Sequence, residues 1–337
     1  MTLARSIRAA AASCLLLAAC AAPTGAGAER VRGPLPTRIH HPVSLLFPGP
    51  RPRTAQVLEP GAGRLDVDFG YSSIFEVESE PLRAASFDGE IARVGTRLAY
   101  GVADGFELVV EPAFIYGTSG FLDRIVDEFH AFMGFPGGGR EDAPRDQYSM
   151  ELRNDGITAY SMEEDTILFA DLPVTLVARV REEDDAGPGI AARITIEIPT
   201  GDEDRGSGSG GWDTSAGVLF EGSIGRWTWT ASADGVLVDQ PDSFADAGIT
   251  IRTLLLASGG LEYRLTNRTS LLLRLLLQTP LTGDLPFEEI DREILDIGVG
   301  LAHDLGRGSL LRLGFHEDAI AATGTDLTVY AGLSFGF

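Results

Sequence analysis

Residues 327–337 alternate without a break. Leu327, Val329, Ala331, Leu333, Phe335 and Phe337 share one face, and Thr328, Tyr330, Gly332, Ser334 and Gly336 share the other. A period of two is the geometry of a β-strand with one apolar side. The pattern recurs upstream. Leu271, Leu273, Leu275 and Leu277 lie opposite Arg274 and Gln278; Trp227, Trp229, Ala231 and Ala233 lie opposite Thr228, Thr230, Ser232 and Asp234. Ile190, Ala192, Ile194 and Ile196 oppose Arg193, Thr195 and Glu197, and Leu65, Val67, Phe69 and Tyr71 oppose Asp66, Asp68 and Gly70. Alternation over segments of about ten residues is the signature of membrane-barrel strands.

The pattern predicts twelve strands, over 64–75, 91–102, 106–116, 169–181, 189–199, 213–223, 227–238, 249–265, 268–279, 291–304, 309–317 and 326–337. The even count suits a bacterial single-chain barrel. Short turns such as 103–105, 223–226, 266–267 and 306–308 alternate with longer links at 76–90, 117–168, 200–212, 239–248, 280–290 and 318–325. Short turns on one side and long loops on the other predict an all-β, twelve-stranded antiparallel transmembrane barrel, with the short side periplasmic. The competing reading is a soluble periplasmic lipoprotein with a β-sandwich. Its aromatic edge strand would invite aggregation. Pro112 and Pro173 fall inside strands three and four and predict a bulge or an irregular seam there. Leu254, Leu256, Leu272 and Leu276 point inward, which predicts packing beneath an inserted loop.

The N-terminus reads as an export signal. Arg5 and Arg8 precede an apolar run from Ala9 to Ala19, too short to span a bilayer as a helix. Leu17-Ala18-Ala19-Cys20 resembles a bacterial lipobox, which would make 1–19 the signal peptide and Cys20 the lipidated residue. Ala26-Gly27-Ala28 offers cleavage after Ala28 instead. Residues 20–62 then form an N-terminal periplasmic segment, and 63–337 the barrel. The terminal Phe337 resembles the C-terminal signal read by the outer-membrane barrel assembly machinery. Outer-membrane lipid is the other expected partner.

Charge narrows the partners further. The chain has 27 basic residues, every one an arginine, against 49 acids, for a formal charge of −22. Such a balance argues against nucleic acid. The two cysteines, Cys14 and Cys20, both lie in the export segment, so the body has neither a disulfide framework nor a CxxC metal site. By strand parity Arg93, Arg97, Arg179, Arg193, Arg252, Arg264, Arg274 and Arg312 face the lumen. So do Asp66, Asp68, Glu107, Glu111, Glu197, Glu221, Asp234, Glu262 and Asp296. The wall is thus nearly neutral, and the net charge resides in loops and turns.

The link 117–168 is too long to be structureless without reason. Gly120 to Gly134 reads as an amphipathic helix, with Leu122, Ile125, Val126, Phe129, Phe132 and Met133 on one stripe. It would either plug the mouth or lie on the rim with its apolar face buried. Met150 to Met162, turning at Asn154-Asp155-Gly156, reads as a hairpin.

Several short motifs, in order along the chain, resemble a known family. They are G-P-L-P-T-R at 33–38, H-P-V-S-L-L-F at 41–47, G-F-L-D at 120–123, F-H at 129–130 and G-G-R-E at 138–141. Together they are similar to the uncharacterised family named domain of unknown function 3187. That resemblance implies a Gram-negative outer-membrane barrel and carries no activity or site residues.

Catalytic and metal chemistry find little footing. His40 and His41 are adjacent but lack acids at ligand spacing, and the acidic run Gly201 to Asp204 matches a calcium loop only in composition. There is no GxSxG elbow. No cofactor or metal is expected, and the chain is read as a non-enzyme. The favoured function is a passive channel or transport-related barrel for small polar solutes. The alternative is a closed structural or interaction barrel, and a more remote one is an outer-membrane lipid hydrolase.

Overall fold

The computed structural model describes residues 31–134, 139–283, 285, 291–319 and 324–337. The expected signal peptide, Cys20 and the cleavage site after Ala28 lie outside the described residues.

Among the described residues, sixteen strand segments form one antiparallel sheet that closes on itself. They are β1 (Gly63–Glu80), β2 (Arg83–Ala103), β3 (Phe106–Val110), β4 (Ala113–Thr118), β5 (Ser149–Asn154), β6 (Ile157–Ser161), β7 (Ile167–Phe169) and β8 (Leu172–Arg181). Then come β9 (Gly189–Ile198), β10 (Asp213–Ile224), β11 (Trp227–Leu237), β12 (Leu254–Arg264), β13 (Thr269–Gln278), β14 (Ile294–Gly306), β15 (Ser309–Asp318) and β16 (Leu327–Gly336). β3 with β4 makes the third stave, β7 with β8 makes the fourth, and the β5–β6 hairpin stands off the wall, leaving twelve staves. Closure runs through β1 and β16, paired from Arg64↔Gly336 to Ser73↔Leu327. Gly63 and Phe337 exchange backbone hydrogen bonds of 2.8 and 2.9 Å at the seam's end.

One proline sits at a break, and the other is the second residue of β8. Pro112 separates β3 from β4, and Pro173 follows the gap between β7 and β8. Their carbonyls still accept bonds from Thr96 and Glu111, so the ladder loses donors without opening the wall. The expected link 76–90 is instead hairpin. β1 and β2 remain paired out to Glu80↔Arg83 and project beyond their neighbours. Small and polar residues on both faces, such as Ser79, Ala84 and Ala85, hide the period of two where the strands leave the apolar belt.

Among the described residues, two α-helices lie in the long connections: α1 (Asp123–Met133) and α2 (Asp242–Asp246). β5 continues the sheet by pairing with β2 from Ala84↔Arg153 to Asp88↔Ser149. Its turn to β6 has positive φ at both Asp155 (50°) and Gly156 (79°), the backbone of a tight hairpin that favours such residues.

Outward positions of the staves are apolar and exposed, among them Phe69, Leu98, Leu176, Ile194, Leu275, Leu301, Phe315 and Val329. Trp227, Trp229, Tyr100 and Phe106 stand outward near the short-turn end.

Candidate functional site

Residues 31–60 contribute no strand, and they fill the barrel. The segment enters at the short-turn end, climbs to the long-loop end, turns and descends to β1. Arg32 marks the entrance. Its N–H and that of Gly33 each donate to Glu262 of β12 at 2.8 Å, and its guanidinium reaches Ser270 and the Asn267 carbonyl in the β12–β13 turn. Higher up, Leu35 is fully buried against Leu272, Ala302 and Tyr330. Arg274 of β13, paired with Asp296 of β14, donates to the Thr37 carbonyl at 3.2 Å. Ile39 packs on Leu276 and Ile294. His40 Nδ1 lies 2.8 Å from the Ser72 hydroxyl, with its ring edge-on to His316, which is bonded to Asp296 at 2.6 Å. Gly70 is required here, because a Cβ on it would lie 2.2 Å from the His40 ring.

At the top the chain turns through a 3₁₀ segment, Val43–Leu46, every residue of which is buried. Val43, Leu45, Leu46 and Phe47 join Phe87, Met150, Leu152, Tyr160, Phe244 and Leu254 in one apolar cluster. The β5–β6 hairpin and α2 roof this end, tied together where the Asn154 amide donates to the Ala247 carbonyl at 2.9 Å. Burial of this many aliphatic and aromatic side chains expels water, so the long-loop end is sealed by the hydrophobic effect.

The descending arm is fastened by charge. Arg51 pairs with Asp68 at 2.5 Å and with Glu111 at 3.2 Å, and Arg53 pairs with Glu107 at 2.8 Å. Arg193 of β9 donates to the Arg51 carbonyl at 2.6 Å while paired with Asp234 at the same distance. Glu221 accepts from the Ala55 N–H at 3.1 Å and from the Gln56 amide at 2.6 Å. Buried charges are tolerable only when matched and hydrogen-bonded, and here the N-terminal arginines match the wall carboxylates. Between the two arms and the walls of β1, β2, β15 and β16, a cavity of about 1130 Å³ opens at the short-turn end.

The family of proteins of unknown function DUF3187 matches residues 11–337. The chain belongs to that family. Among solved structures, this DUF3187 protein is similar to an outer-membrane channel from Pseudomonas putida F1, with 16% identity and a TM-score of 0.58, covering 85% of this chain and 99% of that one. It also aligns with the NanC porin, at 10% identity and a TM-score of 0.47, over 80% of this chain and 98% of that one. The KdgM porin in complex with disordered oligogalacturonate aligns at 8% identity and 0.42, over 81% and 99%. At 16% identity the likeness to the Pseudomonas putida channel is one of fold. No curated protein matches the sequence.

The expected lumen residues of the DUF3187 chain fall in three places. Arg93, Arg193, Arg274, Arg312, Asp68, Glu107, Glu197, Glu221, Asp234, Glu262 and Asp296 are buried on the inner wall, with Arg97, Asp66 and Glu111 part-buried beside them. Arg179 and Arg264 sit at the short-turn rim, where Arg179 pairs with Asp104 and Glu182. Arg252 is exposed in the connection before β12, which begins only at Leu254, so it does not line the lumen.

The segment 20–62 was expected outside the barrel as a periplasmic piece, yet residues 31–60 are its filling. They are the insertion beneath which Leu254, Leu256, Leu272 and Leu276 pack, rather than a surface loop. Arg32, Arg38, Arg51 and Arg53 are therefore the lumen residues that strand parity misses. A usable signal was present: four arginines gathered in a segment with no strand pattern.

Helix α1 lies on the outer wall. Leu122 and Val126 are buried against Leu327, with Tyr71 beside them, and Phe129 meets Phe315 edge-on. Gly134 ends the helix in the left-handed conformation at φ 75°. At its start, the Phe121 and Leu122 N–H groups donate to the buried Glu90 carboxylate on the outer face of β2. Arg140 bridges Asp123 and Asp326 at 2.5 Å each, and His130 is paired with Glu317 at 3.1 Å. Burial pushes the Asp326 carboxyl up to about 6, and the Glu317 carboxylate holds the His130 imidazole above its usual range.

Proposed function

We propose that this protein is a transport barrel of the Gram-negative outer membrane for small polar solutes, held closed by its own residues 31–60. One observation carries the reading. The segment that fills the lumen is bound by side chains and apolar contacts, with no strand pairing to the wall, so it can leave without breaking the sheet. Its attachment through Gly63 lies at the short-turn end, which is the periplasmic side in such barrels. The exposed apolar staves with aromatic residues near the rim support membrane insertion. An export signal at 1–19 with lipidation at Cys20, or cleavage after Ala28, delivers the chain, and Phe337 serves as the assembly signal. A lipidated Cys20 could reach the membrane surface from Arg32, since the twelve residue steps between them span at most about 40 Å.

The apolar seal around Phe47 favours a second reading, a permanently closed structural barrel. The outer-wall His303 is bonded to the Thr269 hydroxyl at 2.9 Å, not to a serine, which lends no support to a lipid hydrolase.

Planar-bilayer recordings separate the two readings. The full chain should open rarely, and deletion of 31–58 should give steady conductance. A deletion variant that shows heat-modifiable migration on gels and still does not conduct overturns the transport reading.

A further inference from the structure

The filling segment and the wall that holds it are charged in opposite senses. Residues 31–58 contain Arg32, Arg38, Arg51 and Arg53 and no aspartate or glutamate. Of the charges expected in the lumen, five arginines and nine carboxylates stand on the inner wall, because Arg179 and Arg264 sit at the rim and Arg252 lies before β12. Arg64 and Glu76 also turn inward, the first into the cavity and the second toward His41. Six guanidiniums against ten carboxylates leave the wall with four negative charges in excess, not near balance. The segment brings that number of cations.

The pairing is as asymmetric as the count. Wall arginines have wall partners: Arg193 meets Asp234 at 2.6 Å, Arg97 meets Asp66 at 3.2 Å, Arg93 lies 3.6 Å from Asp68, and Arg274 is paired with Asp296. Departure of the segment takes from Arg193 and Arg274 only the Arg51 and Thr37 carbonyls. Several wall acids lose more. Among the described residues, Glu111 and Glu262 have a cation within 4 Å only in Arg51 and Arg32, at 3.2 and 3.9 Å. Glu197 of β9 is 2% exposed and in electrostatic range of Arg38, and its Oε2 has no hydrogen-bond partner among the described residues. Glu221 accepts from the Ala55 N–H and the Gln56 amide, both on the same segment. Carboxylates around a narrow lumen draw in cations, and they accept a planar guanidinium two bonds at a time.

We infer that the lumen is a site for small organic cations bearing guanidinium or ammonium groups, occupied in the closed barrel by Arg32, Arg38, Arg51 and Arg53 as an internal stand-in. As a substrate class for transport this rests on the reading above, whereas binding itself needs no conduction.

Isothermal titration of the full chain in detergent tests it, with spermidine as the probe. Arg51→Gln/Arg53→Gln frees Asp68, Glu107 and Glu111 from the segment's charge beside the cavity, while Leu35, Ile39 and Phe47 still anchor the segment. This lumen variant should bind spermidine about tenfold more tightly than wild type, and raising NaCl from about 50 to 300 mM should weaken that binding several-fold. Arg124→Gln/Arg145→Gln removes the same charge from exposed pairs on α1 and should leave the wild-type affinity unchanged, which separates the lumen from the acidic loops. Adding Glu111→Gln to the lumen variant should cancel most of its gain. Heat-modifiable migration is the folding control. Should the lumen variant not fold, Arg53→Gln alone, which leaves Glu107 with Arg97, should show a smaller gain in the same direction. In planar bilayers under a KCl gradient, openings of the full chain and current through the 31–58 deletion should favour potassium over chloride. Equal spermidine affinity in wild type and the folded lumen variant, or an equal gain in the α1 variant, overturns the inference. If current flows and favours chloride, the inference fails and transport stands. If the lumen variant gains spermidine binding and no chain conducts, the transport reading fails and the site stands.

Discussion

The two ends of the lumen are made by the same staves and closed by the same segment, yet they are held in opposite ways. At the long-loop end, Val43 to Phe47 meet Phe87, Tyr160 and Phe244 in a dry apolar cluster. At the short-turn end, Arg51 and Arg53 meet Asp68, Glu111 and Glu107 beside an open cavity. The first arrangement is non-directional and strengthens with area buried. The second depends on geometry and loses strength wherever water can enter. One short segment thus carries an apolar tip that seals and basic arms that position it. A closure of this kind can be loosened at its charged end without unmaking its apolar end.

Breaking the seal should have the largest effect. Phe47→Ala removes a fully buried ring from the cluster and should cost about 3–5 kcal/mol, read from urea unfolding in lipid vesicles. It should also raise the frequency of brief openings in bilayers. A loss under about 1 kcal/mol would mean that the tip is not packed as a core.

The same comparison sets a smaller effect at the mouth. Arg53→Ala leaves Glu107 with Arg97 as a partner at 2.8 Å, next to a cavity that admits water. Its cost should stay near about 1–2 kcal/mol, below that of Phe47→Ala. If Arg53→Ala proves the more damaging of the two, the distinction between a dry end and a wet end is wrong.

Smallest is the effect of pH on α1, which lies outside the lumen. Asp326, pushed up to about 6, and His130, raised by Glu317, both hold their protons more tightly when the helix is docked. For each, the contribution to docking is complete below the group's ordinary pKa and is lost as pH rises through its raised value. Hydrogen exchange of the 121–134 amides, corrected for intrinsic rate, should therefore show tighter docking at pH 5 than at pH 8. Looser docking at pH 5 would show that the ionised Asp326–Arg140 pair dominates instead. Lumen seal and conductance should be unaffected across this range.

The staves were legible in the sequence because a strand with one apolar and one polar face must alternate, and Leu271 to Leu277 or Leu327 to Phe337 do so residue by residue. Strand count, the proline seam at Pro112 and Pro173, and the inner-wall positions of Arg93, Arg193, Arg274 and Asp296 all follow from that local rule. The β5–β6 turn was legible for a similar reason, since Asp155-Gly156 states its own backbone. What fills the barrel was not. Residues 31–60 have neither period, because an irregular segment meets a curved wall at no fixed spacing. Leu35, Ile39 and Phe47 each answer a different stave, and Arg51 and Arg53 find their acids more than ten residues away on β1 and β3. The side on which α1 docks depends likewise on Glu90, Glu317 and Asp326, contributed by β2, β15 and the connection before β16. Local alternation determined the wall; only closure of the sheet, which brings distant staves around one segment, decided that the lumen is occupied and which wall acids meet the arginines that fill it.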